Sequence, residues 1–418
     1  MIKKILIIFC LVISVYAKAQ NASSSPYSFY GIGDFVFKGN VENRGMGGIN
    51  MIKDSIHINI NNSASLADIM HTTFTIGGNM NSTNFKTEQQ QESAMRASID
   101  YIAIAIPISK KWVAAIGTMP FTSVGYKIQS GDLTDATMPI SRFLGTGGTN
   151  KVYGGVGYKI NKYFQVGADF NYIFGNITTN NITFLPEVQY GTREINQTDI
   201  TGFNFNSSLL YSQLINKKTT IFGSLLYSPE TTLQSVNQRR IGVVQISSLV
   251  GEILVNEEDI PVADSEIKYP SKVGFGVGIG EVRKWSIGAE VTLINSSVLT
   301  NRFDDFGNVT FENSTKYNFG GFFIPDYDSF SNYYKRITYR AGFNYQNTGL
   351  VIDNKEIDNY GITFGLGFPI KGSFSNINIA YEYGKRGTIY GGLIEENFQN
   401  ISISFSLNDK WFIQRKYD

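Results

Sequence analysis

The sequence predicts an all-β fold: a transmembrane antiparallel β-barrel of fourteen strands with an N-terminal plug, or hatch, in its lumen. Three observations carry that expectation. Tyr (24), Phe (30) and Gly (42) are abundant while charged residues make up only 17% of the 418, below the roughly 25% of ordinary soluble domains. Segment after segment alternates apolar and polar residues with a period of two. The alternating segments are also long, nearer the about 9–11 residues that a tilted strand needs to cross a bilayer than the roughly five or six of a soluble sheet. The charge balance, 36 basic against 35 acidic residues, excludes a polybasic nucleic-acid binder and an acidic disordered tail.

Residues 1–19 read as a signal peptide. Lys3 and Lys4 precede the apolar run Ile5 to Val15, and Ala17-Lys18-Ala19 is a small-x-small cleavage site ahead of Gln20. The run is shorter than the about 20 apolar residues of a membrane-spanning helix. Cleavage would remove Lys3, Lys4 and Lys18 and no acid, leaving 33 basic and 35 acidic residues, a net charge of −2. It would also remove Cys10, the only cysteine, so the mature chain would hold neither a disulfide framework nor a thiol nucleophile.

Residues 20–71 do not alternate. They carry Tyr30-Gly31-Ile32-Gly33, Arg44-Gly45-Met46-Gly47-Gly48 and Asn61-Asn62-Ser63-Ala64-Ser65. Dense glycine lets a chain turn sharply in a confined space, and Phe29, Phe35, Met46 and Ile49 seek burial. A folded plug is favoured over a flexible periplasmic tail.

Residues 72–408 form the expected barrel. Trp285, Ile287, Ala289, Val291 and Leu293 alternate with Ser286, Gly288, Glu290 and Thr292; Ile401, Ile403, Phe405 and Leu407 alternate with three serines. Strands are expected at 72–86, 94–107, 111–128, 149–160, 163–177, 198–214, 219–233, 266–280, 284–297, 309–323, 334–346, 359–370, 374–386 and 398–408. The tenth is the least defined, and twelve or sixteen strands remain open. Aromatics at segment ends (Trp112, Tyr158, Trp285, Tyr383, Trp411) suit interface girdles. Links alternate between short periplasmic turns and long external loops at 129–148, 178–197, 234–265, 298–308 and 387–397. A lipid-exposed sheet edge would leave backbone groups without partners, so the sheet should close. Residues 409–418 would be a periplasmic tail.

Five short motifs carry a family resemblance. They are Gly45-Met46-Gly47-Gly48 through Asn62-Ser63-Ala64-Ser65-Leu66; Trp112 with Gly117, Pro120 and Phe121; Tyr269-Pro270 leading toward Trp285; Arg340-Ala341-Gly342-Phe343-Asn344-Tyr345; and Gly365-Leu366-Gly367-Phe368 followed by Ile379-Ala380-Tyr381-Glu382-Tyr383. Over nearly the whole mature chain the sequence resembles the FadL family, whose members move long-chain fatty acids and other hydrophobic compounds across the Gram-negative outer membrane. Ser63 stands where that family's hatch has proline, Thr122 where glycine follows Phe121, and Arg415-Lys416-Tyr417-Asp418 where a terminal aromatic is usual. These departures mark a divergent branch.

The resemblance implies passive uptake from the outer membrane: capture of a hydrophobic, fatty-acid-like small molecule in the lumen, then lateral exit into lipid through a gap in the wall. Asn61, Asn62, Ser63 and Ala64 would form the hatch turn. Gly117, Pro120 and Phe121 would form a wall kink, since proline cannot donate a ladder hydrogen bond; the alternative is a strand ending near Met119. By parity Asp100, Lys151, Lys159, Asp169, Glu290, Arg340 and Glu382 face the lumen. Bracing the plug is favoured there over meeting a headgroup. The alternative function is a non-transporting accessory subunit in a complex with other outer-membrane proteins; a general porin is a third. His57 and His71 lack the partners of a metal site. No Gly-x-Ser-x-Gly, His-Glu-x-x-His or P-loop occurs, so neither catalysis nor a cofactor is expected.

Overall fold

A computed structural model describes residues 24–131, 135, 137–247, 251–300 and 308–409. The expected signal peptide, the first plug residues, Trp411 and the tail from 410 onward lie outside the described residues.

Alternating sequence becomes strand. A two-residue β1 (Asp34–Phe35) precedes β2 (Thr72–Lys86), β3 (Gln91–Pro107), β4 (Trp112–Ser130), β5 (Ile140–Lys159), β6 (Phe164–Phe184) and β7 (Tyr190–Leu214). Proline interrupts the next two rows: Pro229 separates β8 (Thr219–Ser228) from β9 (Thr231–Ser247). After β10 (Gly251–Ile260) and β11 (Ser265–Tyr269), Pro270 precedes β12 (Lys272–Glu281). There follow β13 (Trp285–Ile294), β14 (Val309–Phe311), β15 (Ser314–Phe323), β16 (Thr338–Ile352), β17 (Lys355–Pro369), β18 (Asn376–Arg386) and β19 (Glu395–Asp409). The wall is β2–β8, β12, β13 and β15–β19, fourteen antiparallel strands. It closes where β19 pairs with β2, from Glu395↔Lys86 to Asp409↔Thr72.

Burial is inverted relative to a soluble sheet. Along β19, Ile401, Ile403 and Leu407 are 39%, 42% and 48% exposed, whereas Ser402, Ser404 and Ser406 are 2%, 0% and 0% exposed. Apolar side chains face outward and polar ones inward, the pattern of a barrel whose outer solvent is lipid. Trp112 lies against Tyr158, ring centres 4.3 Å apart, at the rim that carries the short turns.

Three expected external loops are mostly strand. β5 begins at Ile140, β6 and β7 run through Phe184 and from Tyr190, and 234–265 folds as β9, β10 and β11, with β9 pairing β7, β10 and β11. Ile140, Ile182, Phe184 and Val244 bury one another there. The extension is thus held by its own small apolar cluster rather than by lipid, and its polar neighbours read as loop. The tenth wall strand is broken at 312–313, leaving β14 to pair with the far end of β16.

Residues 24–71 occupy the lumen as a folded plug. They comprise a 3₁₀ turn Pro26–Phe29, β1, one helical turn α1 (Val41–Arg44) and a 3₁₀ turn Ser63–Asp68. Val41, Ile58, Ile60, Leu66 and Ile69 pack with the wall's Tyr101, Val113 and Tyr153; Ile32 packs with Phe121, Val124, Ile173 and Ile200. Fully burying such a side chain stabilises by about 1.5–3 kcal/mol, which decides for a packed plug over a loose tail. Contact with the wall is close. A Cβ on Gly342 would stand 2.2 Å from Gly47 N, and one on Gly320 2.2 Å from Met46 O.

Candidate functional site: a wall opening, its plug strand and a lumen chamber

The β3–β4 ladder runs from Pro107↔Val113 to Ile102↔Thr118 and stops. β3 continues to Gln91 paired only with β2, and β4 continues to Ser130 paired with β5. The wall therefore parts between these strands over the half away from their short turn. Irregularities mark both lips. On β4, Pro120 has no N–H for the ladder, and a bulge between Pro120 and Thr122 leaves Phe121 out of register with β5. On β3, a bulge opposite Gly77 and Gly78 takes Asp100 out of register with β2, so that Asp100 and Tyr101 both turn inward. Just below the opening the strands are drawn tight: a Cβ on Gly117 would lie 2.7 Å from Ile102 O.

The plug covers the freed edge of β4. β1 pairs with it in antiparallel register, Asp34↔Ser123 and Phe35↔Thr122, and Val36 N donates to Phe121 O at 3.1 Å. This patch is short, and Asp34 is tied to β18 by Arg386 at 2.8 Å.

Deeper in, polar bonds fix the plug. Arg44 pairs with Asp100 at 2.6 Å, both buried, and Arg44 Nε donates to Gly39 O at 2.9 Å. Val41 N donates to the Tyr101 hydroxyl at 3.2 Å. Glu42 accepts from Asn378 (2.7 Å) and Ser404 (2.9 Å), and Glu290 from Asn50 N (2.9 Å). At the hatch turn, Asn62 caps Ala64 N at 3.2 Å, and Ala64 N also donates to Ser208 Oγ at 2.8 Å. Ser63 Oγ donates to Asp169 at 2.8 Å and lies 2.9 Å from the Tyr153 hydroxyl. Proline could make neither contact, a physical use for the departure at this position. His57 Nδ1 lies 2.6 Å from Asp54. Burial disfavours its charged form, but the Asp54 carboxylate, the bond to it and Glu42 outweigh burial and raise its pKa; burial likewise opposes the Asp54 charge, and His57 holds that carboxyl below its ordinary range.

Between plug and wall lies a chamber of about 490 Å³, bordered by Phe35, Phe121 and Tyr269 and by Lys38, Lys151, Lys272 and Lys316. Phe121 lies 5.4 Å from Phe35 and 5.3 Å from Tyr269, ring centre to ring centre. A second cavity of about 1820 Å³ opens on the other side of the plug, toward the short turns at 108–111, 160–163 and 282–284.

The structure places the sequence-selected residues as follows. Asp100 holds Arg44, Asp169 holds Ser63, Glu290 holds Asn50, and Lys159 pairs with the plug's Asp68 at 3.1 Å. Glu382 accepts from Asn344 and Asn400, and Arg340 donates to Asn378 at 3.1 Å. Lys151 stands over Phe37 and Phe121 at the chamber wall. Asn61 borders the chamber, while Asn62, Ser63 and Ala64 are buried against the wall. Sequence reasoning passed over Arg44, Tyr101, Lys272 and Lys316. Lys316 was accessible by parity, alternating with Tyr317 and Phe319; Tyr101 was hidden by the bulge. Among the described residues no group of three or more His, Cys, Asp or Glu is placed to hold a metal.

Fold and site together define an outer-membrane-type β-barrel with a lumen plug and a parted wall. A Pseudomonas aeruginosa FadL homologue superposes with a TM-score of 0.60 at 12% identity over 91% of this chain and 99% of that one. The Ralstonia pickettii toluene transporter TbuX gives 0.59 at 14% over 89% and 99%, and the Pseudomonas putida toluene transporter TodX 0.57 at 14% over 87% and 96%. At these identities the likeness is one of fold. No curated protein matches the sequence. The family model described as BamG matches residues 1–418, and the chain belongs to the BamG family.

Proposed function

We propose that the protein is an outer-membrane channel for passive uptake of hydrophobic compounds, which enter the chamber and leave sideways into lipid through the opening between β3 and β4. One observation carries the reading: the opening meets the chamber at Phe121, and the seal between them is plug residues 28–36, held to β4 by the β1 patch and by Gly125 N, which donates to Ser28 Oγ at 3.1 Å. Passage then requires that residues 28–36 let go of the β4 edge, leaving the deeper plug bonds intact. The FadL homologue and the two toluene transporters share the fold and support the same direction.

A second reading, an accessory subunit of an outer-membrane complex, is favoured by a different feature. The periplasmic connection from Ile324 to Ile337 is long and aromatic, and Phe330 on it is fully exposed beside the lower cavity. Such a side chain suits an anchor for a partner. Native mass spectrometry of the protein extracted from its own membrane in mild detergent tests both. A monomer retaining a small apolar ligand supports the channel; a stoichiometric complex with an empty barrel contradicts it and supports the subunit.

A further inference from the structure

The chamber's polar chemistry is lopsided. Three of its carboxylates are satisfied by neutral donors, Asp169 by Ser63, Asn171 and Asn206, Glu290 by Asn50, Glu382 by Asn344 and Asn400, while Asp34 pairs with Arg386 and Glu396 accepts from Ser25. Its lysines are not matched in return. Among the described residues, Lys38, Lys151, Lys272 and Lys316 have no carboxylate within the 4.0 Å of an ion pair. Lys38, Lys151 and Lys272 rest instead on aromatic rings. Lys272 lies 5.2 Å from the centre of Phe35 and 4.7 Å from that of Tyr269, Lys151 5.5 Å from Phe37 and 5.8 Å from Phe121, and Lys38 5.0 Å from Phe398. Lys272 also donates to the Tyr269 hydroxyl at 2.6 Å.

Ring faces attract a cation without neutralising it. Lys272 is within electrostatic reach of both Lys151 and Lys316, and Lys316 of Lys38, so four like charges face one half-closed space; Asp169 acts on Lys151, and Glu290 and Glu382 on Lys316, without closing an ion pair with either. Repulsion of this kind is relieved by an anion. A single carboxylate answers one ammonium, whereas a phosphate group brings more charge and several acceptor oxygens, and lysine ammonium groups are common phosphate partners. The rings of Phe35, Phe121 and Tyr269 adjoin the same lysines and lead to the wall opening, offering an apolar bed for a chain. The volume, about 490 Å³, falls within the roughly 300–1,000 Å³ of small-molecule sites.

We propose that the ligand of the Lys38–Lys151–Lys272–Lys316 chamber is a phosphate-bearing amphiphile, its head among the ammonium groups and its chain on the aromatic bed toward the opening. This deepens the channel reading and rests on it for the ligand's route, but not for its binding.

Equilibrium dialysis of the full chain in nanodiscs, at fixed low salt, tests it with dodecyl phosphate, dodecanoate, dodecanol, dodecyltrimethylammonium and inorganic phosphate. Dodecyl phosphate should bind at least tenfold more tightly than dodecanoate, with dodecanol and dodecyltrimethylammonium weaker still. Lys272→Gln with Lys316→Gln should lower dodecyl phosphate affinity at least tenfold, while the Lys→Arg pair restores it. Three results would overturn the proposal: dodecanol equal to dodecyl phosphate, an unchanged affinity in the Gln pair, or inorganic phosphate alone as tight as the amphiphile. Loss of hydrocarbon uptake with intact dodecyl phosphate binding would instead overturn only the channel.

Discussion

Asp100→Asn should loosen the plug while leaving the barrel standing. Asp100 and Arg44 meet at 2.6 Å with 1% and 9% of their side chains exposed. Removing one charge leaves the Arg44 guanidinium in a lumen where Gly39 O and Ser402 Oγ accept from it and its Nη2 has no protein partner. An orphaned buried charge of this kind costs about 3–5 kcal/mol, or two to nearly four powers of ten in an opening equilibrium at about 1.36 kcal/mol per decade. Hydrogen exchange in nanodiscs reads this directly. Amides in and after α1, Arg44 N to Asn40 O, Gly45 N to Val41 O and Gly48 N to Asn43 O, should exchange roughly 10²–10⁴ times faster, and β17–β19 amides at unchanged rates. Adding Arg44→Gln should return most of the protection, because a pair removed together leaves no uncompensated charge. Unchanged exchange in Asp100→Asn, or a double variant looser than the single one, would refute the reasoning.

Other perturbations have equally definite outcomes. Gly342→Val should push Met46 and Gly47 off the wall, an overpacking cost of about 1–3 kcal/mol, seen as faster exchange at Gly47 and Gly48 without loss of the folded barrel. A cysteine pair at Ile104 and Ile116, which face each other across the ladder, should oxidise readily. A pair at Ser98 and Thr122, opposite only if that register ran on, should not. The plug should also respond to pH through His57 and Asp54. The raised pKa of His57 adds stability that is full below its unfolded value of about 6.5 and is lost as pH rises through the folded value; the lowered one of Asp54 adds stability present above about 3.9 and lost as pH falls. Protection of residues near 54–57 should therefore be greatest between about pH 4 and 6.5 and decline in alkali, and His57→Gln should flatten the alkaline limb.

Much of this was legible because period two is a physical signal. Lipid outside and polar contacts inside forced each crossing strand to alternate, so the fourteen strands and their lumen faces could be read along the chain. Legibility failed where local rules changed. Above the bilayer, apolar residues such as Ile140, Phe184 and Val244 bury one another, and the strands there carry no lipid-facing rhythm. At Asp100 one extra residue turned two neighbours inward, so parity could place Asp100 and not Tyr101. Pro120 announced a ladder fault, but nothing in the sequence says that residues 34–36, more than eighty positions earlier, would pair beside it. The lysine chamber was similarly dispersed, its four cations coming from the plug, β5, β12 and β15.

The decisive measurement locks that pairing. Phe35→Cys with Thr122→Cys places two thiols at facing positions, in a sequence whose one native cysteine, Cys10, precedes the expected mature start. Uptake of radiolabelled dodecanoate is then followed in Gram-negative cells with an intact lipopolysaccharide layer. Uptake should fall to the level of cells lacking the protein when the pair is oxidised, and return on reduction. Equal uptake by locked and unlocked protein would contradict lateral exit through the β3–β4 opening, and no uptake by the reduced or wild-type protein would contradict the channel itself.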